Sequence, residues 1–332
     1  MQKTLSLIFA LMVSVLWADS AFTRNSDAAE ITNAIEKSLP LLQRIGPPFI
    51  ENTGCVSCHN NALPAMTVAL AREHGFKVDD LLSKQNTAAI MQKVESNREN
   101  FLFGIGIPGD ATTVGYILLG LAAEKQLPNK KTEAMAHYLL GRQLKDGHWS
   151  PISYRPPLEF SDFTTTAVTV RAIGVYAPKG RAEEVGRRTA SARAWLLRAT
   201  PKMNEDRVYQ LLGLRWSGAS KAEIDKAAKM LLSEQRSDGG WSQLPTLESD
   251  AYATGQALVA LHEGSGLATH DPAYRRGVQF LLKTQQQDGS WLVETRSIPF
   301  QKYFESGFPH GKSQFISAAG TSWATMALLH ST

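Results

Sequence analysis

Three segments of the chain repeat one pattern, and this self-similarity restricts the folds that the chain can adopt. Each segment contains a helical stretch, a glutamine near its end, an Asp-Gly turn and a tryptophan. The three copies lie at residues 138–149, 230–241 and 280–291. Their tryptophans, Trp149, Trp241 and Trp291, are 92 and then 50 residues apart, so one weakly marked unit near Trp195 fits the first gap. Repetition at this period is typical of an architecture built from stacked units.

A second kind of helix follows each turn. These segments are rich in Ala, Gly, Thr and Leu and carry few charges. They begin near Asp110, Asp162, Asp206, Asp250 and Ser317. A helix that is apolar on nearly all sides must be buried, whereas segments before the turns, such as residues 221–229, carry the charges of a solvent-facing helix. The alternation therefore predicts an all-α protein with an inner ring of buried helices and an outer ring of amphipathic ones.

The four aspartates at these starts are expected to cap the inner helices, because a carboxylate accepts from free backbone N–H groups there. The same spacing between the start of an inner helix and a later apolar residue occurs in the first part of the chain. Leu70 lies eleven residues after His59, the offset that separates Asp110 from Leu121. His59 then begins the first of six inner helices, and residues 28–45 form the first outer helix.

The best copy of the repeat resembles a known motif. Residues 276–291 read Arg-Gly-x-x-Phe-Leu-x-x-x-Gln-x-x-x-Gly-x-Trp, which resembles the QW motif of squalene–hopene cyclases and related terpenoid cyclases. The resemblance, clear over residues 106–332, implies an (α/α)6 toroid, a fold also used by protein prenyltransferase β-subunits. It also implies that the glutamine and the tryptophan tie successive repeats together. The motif is therefore specific for the fold and says little about activity.

A different motif stands near the N-terminus. Cys55-Val56-Ser57-Cys58-His59 is Cys-x-x-Cys-His, the attachment motif of c-type haem, and it resembles c-type cytochromes over these five residues. Two thiols at this spacing can add to the two vinyl groups of one porphyrin, and the adjacent imidazole can bind the iron. Cys55 and Cys58, the two cysteines of the chain, are thus predicted to hold haem c, with His59 as the iron ligand.

Other interpretations of the two cysteines remain open. They could form a tight disulfide, or a redox dithiol, although a thioredoxin-like dithiol needs a βαβ setting that the sequence does not show. They could also bind zinc, which would need two further histidines. The candidates for that role are His74, His137, His148, His262, His270, His310 and His330.

The second axial ligand of a haem iron is not determined by the sequence. Met66 lies seven residues after His59 and shares one face of a helix with it, so the two cannot bind opposite sides of one haem. The remaining candidates are Met91, His74, His148 and His310. A five-coordinate iron is the alternative, and it would favour ligand binding or peroxide chemistry.

Residues 1–20 have the features of a signal peptide. Lys3 precedes an apolar run from Leu5 to Trp17, and Ala18 and Ser20 are the small residues that a signal peptidase recognises. An uncleaved N-terminal anchor is the alternative, but the run is too short to form a stable membrane span. The prediction is a periplasmic or secreted protein, a location where covalent haem attachment is possible. The net charge of +4 comes from 35 basic and 31 acidic residues without a basic tract, so nucleic acid is not an expected partner.

Cyclase activity is not expected from the residues themselves. Squalene-type cyclases protonate an alkene with an Asp-x-Asp-Asp motif, and the nearest match, residues 248–251, reads Glu-Ser-Asp-Ala. Asp250 keeps the middle acid and is a candidate catalytic residue, but the last aspartate is lost. Prenyltransferases bind zinc through Asp, Cys and His, and the repeats contain no cysteine.

A ring of helices rich in small residues could still enclose a pocket for an apolar molecule. Five aromatic residues either line such a pocket or belong to the core: Tyr116, Phe163, Tyr209, Tyr252 and Trp323. The aromatic segment 292–312, which interrupts the last repeat and includes Phe300, is either a lid or a docking surface.

Three functions follow from these observations. The first is an exported toroid that carries one covalent haem and that transfers electrons with a redox partner protein or binds a small ligand. In this interpretation, residues 21–105 contain the Cys-x-x-Cys-His motif and form the first toroid repeat, and residues 106–332 form the following repeats. The second is a haem-free toroid that binds or transforms a hydrophobic, isoprenoid-like molecule. The third is a non-catalytic interaction scaffold.

Overall fold

The computed structural model describes residues 28–299 and 302–332. The predicted signal peptide, residues 1–20, and Phe300 lie outside the described residues. The helices are α1 (28–43), α2 (Gly46–Thr53), α3 (Leu63–Glu73), α4 (Asp80–Ser96), α5 (Arg98–Leu102), α6 (Asp110–Ala123), α7 (Lys130–Gly141), α8 (Asp162–Tyr176), α9 (Ala182–Arg198), α10 (Asn204–Trp216), α11 (Lys221–Leu232), α12 (Ala251–Val259), α13 (Pro272–Thr284) and α14 (Gln314–Leu329). A π-helical turn, Cys58–Ala62, leads into α3, and a second, Ala260–Gly264, follows α12. Between residues 28 and 299 and from 302 onward there is no strand, and none of the helices there is long and apolar enough to cross a bilayer.

The helices form two concentric rings. Helices α3, α6, α8, α10, α12 and α14 contact one another in this order, and α14 returns to α3 to close the inner ring. The more polar α4, α7, α9, α11 and α13 pack outside them, and α1 joins the outer ring between α13 and α4. This is the (α/α)6 toroid that the resemblance implied, and the all-α class is confirmed.

The inner helices are buried along most of their length because they are built largely from small and apolar residues. In α14, for example, Phe315 is the one residue that is not fully buried. Gly255 shows why small residues are needed. A Cβ atom at this position of α12 would lie 2.5 Å from the backbone of Trp323 in α14. The two inner helices can therefore approach this closely because position 255 has no side chain.

The glutamine and the tryptophan of the repeat act as the resemblance implied. Gln285 Nε2 donates to the carbonyl of Gly289 in its own turn, at 3.0 Å, and to that of Ala34 in the next outer helix, at 2.9 Å. Trp291 Nε1 donates to the carbonyl of Leu281, at 2.8 Å. Gln143 and Gln235, and Trp149 and Trp241, make the same contacts in their own turns. Because Ala34 belongs to α1, the last copy joins the two ends of the outer ring.

The inner helices begin close to the predicted residues, but only two of the four aspartates cap them. Asp250 is the N-cap of α12 and accepts from the backbone N–H of Ala253 at 2.9 Å. Asp206 lies in the first turn of α10 and accepts from the N–H of the N-cap residue Met203 at 3.3 Å and from that of Lys202 at 2.8 Å. The prediction is wrong for the other two.

Each of the other two aspartates lies one position inside its helix and bonds to side chains. At α8 the cap is Ser161, so Asp162 accepts instead from the hydroxyl of Ser150 at 2.7 Å. At α6 the cap position is Gly109, and Asp110 binds the hydroxyl of Tyr138 and the guanidinium of Arg142.

Candidate functional site at the mouth of the ring

The Cys-x-x-Cys-His segment lies at the N-terminal end of α3, at the end of the ring where the inner helices begin. This end is called the mouth of the ring. Gly54 ends α2 in a left-handed conformation, with φ of 66°, and turns the chain towards the ring. Asn61 then fixes the segment: its Oδ1 accepts from the N–H of Ser57 at 3.0 Å, and its Nδ2 donates to the carbonyl of Gly46 at 2.9 Å. The predicted haem residues therefore lie at a rigid corner of the first repeat.

The two thiols are free but differ in exposure. Cys55 is half-buried, whereas Cys58 is 1% exposed, and no disulfide joins them. Burial raises the pKa of the Cys58 thiol far above its ordinary value, so the thiol is protonated. Within residues 28–299 and 302–332, no three His, Cys, Asp or Glu side chains surround a common metal position.

His59 follows the second thiol, and its imidazole is enclosed by aromatic rings. Phe49 meets it edge-on with centroids 5.3 Å apart, and Phe315 lies at 5.0 Å. Phe304 contacts both phenylalanines. Burial among these rings lowers the pKa of His59 to about 4, so the imidazole is neutral at physiological pH.

The hydrogen bond of the imidazole determines which nitrogen can bind a metal. His59 Nδ1 lies 2.5 Å from the amide Oδ1 of Asn60. Since this oxygen accepts, Nδ1 carries the proton and Nε2 keeps the lone pair. Haem-binding histidines are oriented in this way by an acceptor on the other nitrogen. The donor set, which consists of two unpaired thiols and an imidazole whose Nε2 keeps the lone pair, matches the residue types that a c-type haem requires.

The candidates for a second axial ligand are spread over the molecule. Met66 lies inside α3, and Met91 lines a groove on α4. His74 lies at the opposite end of α3 from His59. The other two histidines have local partners: His148 stacks on Trp195, and His310 Nε2 is 2.7 Å from the hydroxyl of Ser290.

The five aromatic residues considered for a central pocket belong to the packed core. Each of Tyr116, Phe163, Tyr209, Tyr252 and Trp323 is buried. The hydroxyls of Tyr116 and Tyr209 bond to each other, and that of Tyr252 donates to Glu205 at 3.0 Å. The interior of the ring therefore contains a polar network between aromatic rings.

Glu205 is a buried acid that sequence reasoning missed. It stands in the first turn of α10, is 2% exposed, and accepts from the hydroxyls of Thr164, at 2.9 Å, and of Tyr252. Burial raises the pKa of this carboxyl to about 8, so Glu205 holds a proton at neutral pH. No pattern in the sequence distinguishes it from the surface glutamates, because its burial depends on the closure of the ring.

Asp250, the candidate catalytic residue, lies near Glu205 at the same end of the ring. Its second oxygen accepts from Gln243 Nε2 at 3.0 Å, and Gln243 Oε1 accepts from Arg296 Nε at 2.7 Å. Burial raises the pKa of Asp250 to about 6. Arg296 comes from the aromatic segment, whose Ser297 hydroxyl donates to the carbonyl of Pro156 before α8, at 2.9 Å. Residues 292–299 thus cross the mouth of the ring, since α8 and α14 are on opposite sides.

The described part of the chain also has an open groove of about 1150 Å³ on the outside of the ring, between α4 and the start of α7. Its lining is charged. Arg72 bridges Asp80, at 2.9 Å, and Glu124, at 3.2 Å, across it.

The fold and the repeat geometry define a class: this is an α/α toroid of the terpene cyclase type. A type II terpene cyclase from Scytonema, MstE, superposes with a TM-score of 0.59 at 16% identity over 91% of this chain and 98% of that one. A protein from Actinoplanes gives 0.61 at 16% identity over 91% and 100%. At this identity, the likeness shows the fold alone.

The match to a family model lies in the second half of the ring. Residues 199–332 match the squalene-hopene cyclase C-terminal domain. The chain is 28% identical to a squalene–hopene cyclase from Bradyrhizobium diazoefficiens over an alignment of 222 residues that covers 54% of this chain and 32% of the relative. It is 36% identical to a lanosterol synthase from Aspergillus fumigatus over 110 residues, 33% of this chain and 13% of that protein. The chain therefore spans a third or less of these relatives, and the matches show what part of it is similar to squalene and lanosterol cyclases.

Proposed function

We propose that the protein is a toroid that carries one covalent c-type haem at the mouth of the ring. The observation that carries the proposal is the donor set: two unpaired thiols, three residues apart, followed by an imidazole whose Nδ1 is held by Asn60. Cys55 and Cys58 would bind the porphyrin through thioether bonds, and His59 Nε2 would bind the iron.

When bound, the haem would supply one-electron redox chemistry or a coordination position for a small ligand. The surrounding residues have separate roles. Asn60 fixes the tautomer and the orientation of His59 through its 2.5 Å contact. Phe49 and Phe315 pack on the imidazole and keep water from it. The aromatic segment reaches this cluster through Phe304, so a porphyrin against His59 would share its space with that segment.

The same proposal includes export, with residues 1–20 as the signal peptide, because covalent haem attachment requires an extracytoplasmic location. A redox partner protein or a small ligand at the iron would then complete the function. The redox partner and the small ligand each depend on haem attachment, so they can be tested once attachment is established.

The test is expression of the full chain in a host with a c-type haem maturation system. We expect a red protein whose haem stays with the polypeptide on a denaturing gel. The Cys55→Ser/Cys58→Ser double variant should lose it, while the His59→Ala variant should keep covalent haem with an altered absorption spectrum. His137→Ala, which changes an exposed histidine on α7, is the matched control and should behave as the wild type. A colourless wild-type chain from a competent host would contradict the proposal.

A second candidate function is favoured by the similarity to squalene–hopene cyclases: the toroid would bind or transform an isoprenoid-like molecule. Two carboxyls with raised pKa values, Asp250 and Glu205, lie at the mouth and could hold a proton near neutral pH. Extraction of the purified protein with organic solvent, followed by mass spectrometry, tests this function. A retained isoprenoid in the extract would support it, and an empty extract would argue against it.

A further inference from the structure

The open groove between α4 and the start of α7 lies at a junction where, in the described part of the chain, no glutamine ties the two outer helices together. At four other junctions of the ring, a glutamine at the end of one outer helix donates to a backbone carbonyl at the next; these glutamines are Gln43, Gln143, Gln235 and Gln285. Helix α4 is followed instead by Asn97, whose amide donates to the carbonyl of Lys93 and the hydroxyl of Ser96. The gap that remains beside α4 has a volume of about 1150 Å³.

The lining of this groove carries more positive than negative charge. Three acids line it, Asp80, Glu95 and Glu124, together with five cations: Arg72, Lys84, Arg98, Lys130 and Lys131. Every acid is already engaged, because Arg72 pairs with two of them and Lys131 pairs with the third, Glu95, at 3.2 Å. Lys84, Arg98 and Lys130 have no carboxylate partner among residues 28–299 and 302–332. The groove thus presents three unpaired positive charges.

Two of these unpaired cations stand where a positive charge is unfavourable. Lys130 is the first residue of α7, where the backbone N–H groups and the helix dipole also place positive charge. Arg98 is half-buried, so its side chain has lost part of its hydration without gaining an anion. An anion bound in the groove would offset both costs.

The groove has the length of a short peptide and an apolar patch within it. Lys84 and Arg98 are separated by about 20 Å along α4 and into α5, at the helical rise of about 1.5 Å per residue. An extended chain covers this distance in about six residues. Met91 lies between the two cations in sequence, is half-buried and packs against the core. The hydroxyl of Thr87, in the same lining, makes no hydrogen bond within the described residues and is available to a peptide backbone.

We propose that the groove binds an extended acidic peptide segment of a partner protein. Carboxylates on the segment would pair with Lys84, Arg98 and Lys130, and an apolar side chain among them would cover Met91. Carboxylates spaced along a peptide can avoid the three acids of the lining, whereas the contiguous phosphates of a nucleic acid would meet them. Opposite charges on the two surfaces would also steer the encounter of the two proteins. The groove lies on the outside of the ring, so this proposal stands apart from the haem and from the second candidate function.

The test measures the binding of a fluorescein-labelled hexapeptide, Glu-Asp-Leu-Glu-Asp-Glu, to the full chain by fluorescence anisotropy at low salt. We expect saturable binding that weakens as salt is added, because salt screens exposed charges. The Lys84→Glu/Lys130→Glu variant should bind about tenfold more weakly, since attractive pairs become repulsive. The matched control, Lys226→Glu/Lys229→Glu, makes the same change of charge at exposed positions of α11, away from the groove, and should bind within about twofold of the wild type.

A steric variant separates the groove itself from the general field of the protein. Thr87→Trp fills the groove without changing its charge, so it should weaken binding by a similar factor. Circular dichroism checks that each variant is folded, and the substituted side chains are all exposed or half-buried. If the charge-reversal variant unfolds, Thr87→Trp decides.

The proposal would be overturned if the wild type failed to bind the acidic peptide, or bound it no better than the folded groove variants do. Equal binding of a neutral peptide, Gln-Asn-Leu-Gln-Asn-Gln, would also overturn it, because the unpaired cations would then have no role. Tighter binding of single-stranded DNA or of phosphatidylglycerol vesicles, lost in the same variants, would replace the acidic peptide by another class of partner and so refute the proposal.

Discussion

Glu205 makes a quantitative prediction about the pH dependence of stability. Its pKa is about 8 in the folded protein and 4.5 when it is unperturbed. Between these values, the folded state binds one proton more than the unfolded state, so the free energy of unfolding falls as the pH rises. The contribution is fully present below pH 4.5 and is lost as the pH passes 8. At about 1.4 kcal/mol per pH unit, the whole window corresponds to about 5 kcal/mol.

The Glu205→Gln variant should remove this dependence. The amide oxygen can still accept from Thr164, and Tyr252 can accept from the amide nitrogen, so the hydrogen bonds survive in altered form. At pH 5 the variant should be nearly as stable as the wild type, and at pH 9 it should be more stable, by a few kcal/mol. Asp250 titrates in both proteins, so its contribution cancels in the difference.

The assay is urea denaturation followed by circular dichroism at pH 5, 7 and 9. Glu248→Gln, which changes an exposed glutamate at the same end of the ring, is the matched control and should follow the wild type. Parallel pH profiles for the wild type and Glu205→Gln would refute the reasoning, and so would a variant that is destabilised equally at every pH.

Substitutions at three further positions test the ring itself by thermal denaturation. Gln285→Ala removes the donor to the carbonyls of Ala34 and Gly289, so we expect a loss of about 2 kcal/mol; an unchanged melting temperature would show that the closing bonds are unimportant. Asp250→Ala removes the cap of α12 and should cost about 1 kcal/mol, while Asp250→Asn should cost less; equal losses would contradict a capping role. Gly255→Ala places a Cβ atom 2.5 Å from the backbone of α14 and should cost about 1 to 3 kcal/mol; a neutral effect would mean that the two helices separate easily.

The architecture could be predicted because the signals that specify it lie within each repeat. The Gln–Gly–Trp turn and the near absence of charge in the inner helices are written within a few residues of each other, and they specified two rings of helices. The cap at Asp250 could be predicted for the same reason. At Asp110 and Asp162 the cap fell one residue earlier, on Gly109 and Ser161, because the register of a helix start is not fixed by the spacing of its apolar residues.

The site could be predicted only in part, because its remaining members come together through the closed ring. The residues of the Cys-x-x-Cys-His motif are adjacent in sequence. Phe49, Phe304 and Phe315, which surround His59, come from three distant segments. Glu205 is likewise recognisable only after α8, α10 and α12 are packed together.

The measurement that tests the haem proposal most directly is the mass of the intact, denatured chain, combined with a count of its reactive thiols. The account predicts one added haem per chain and no thiol that an alkylating reagent can modify, since both sulfur atoms would be in thioether bonds. A chain of unmodified mass with two alkylated cysteines, purified from a host that matures c-type cytochromes, would contradict it and leave the toroid without its proposed cofactor.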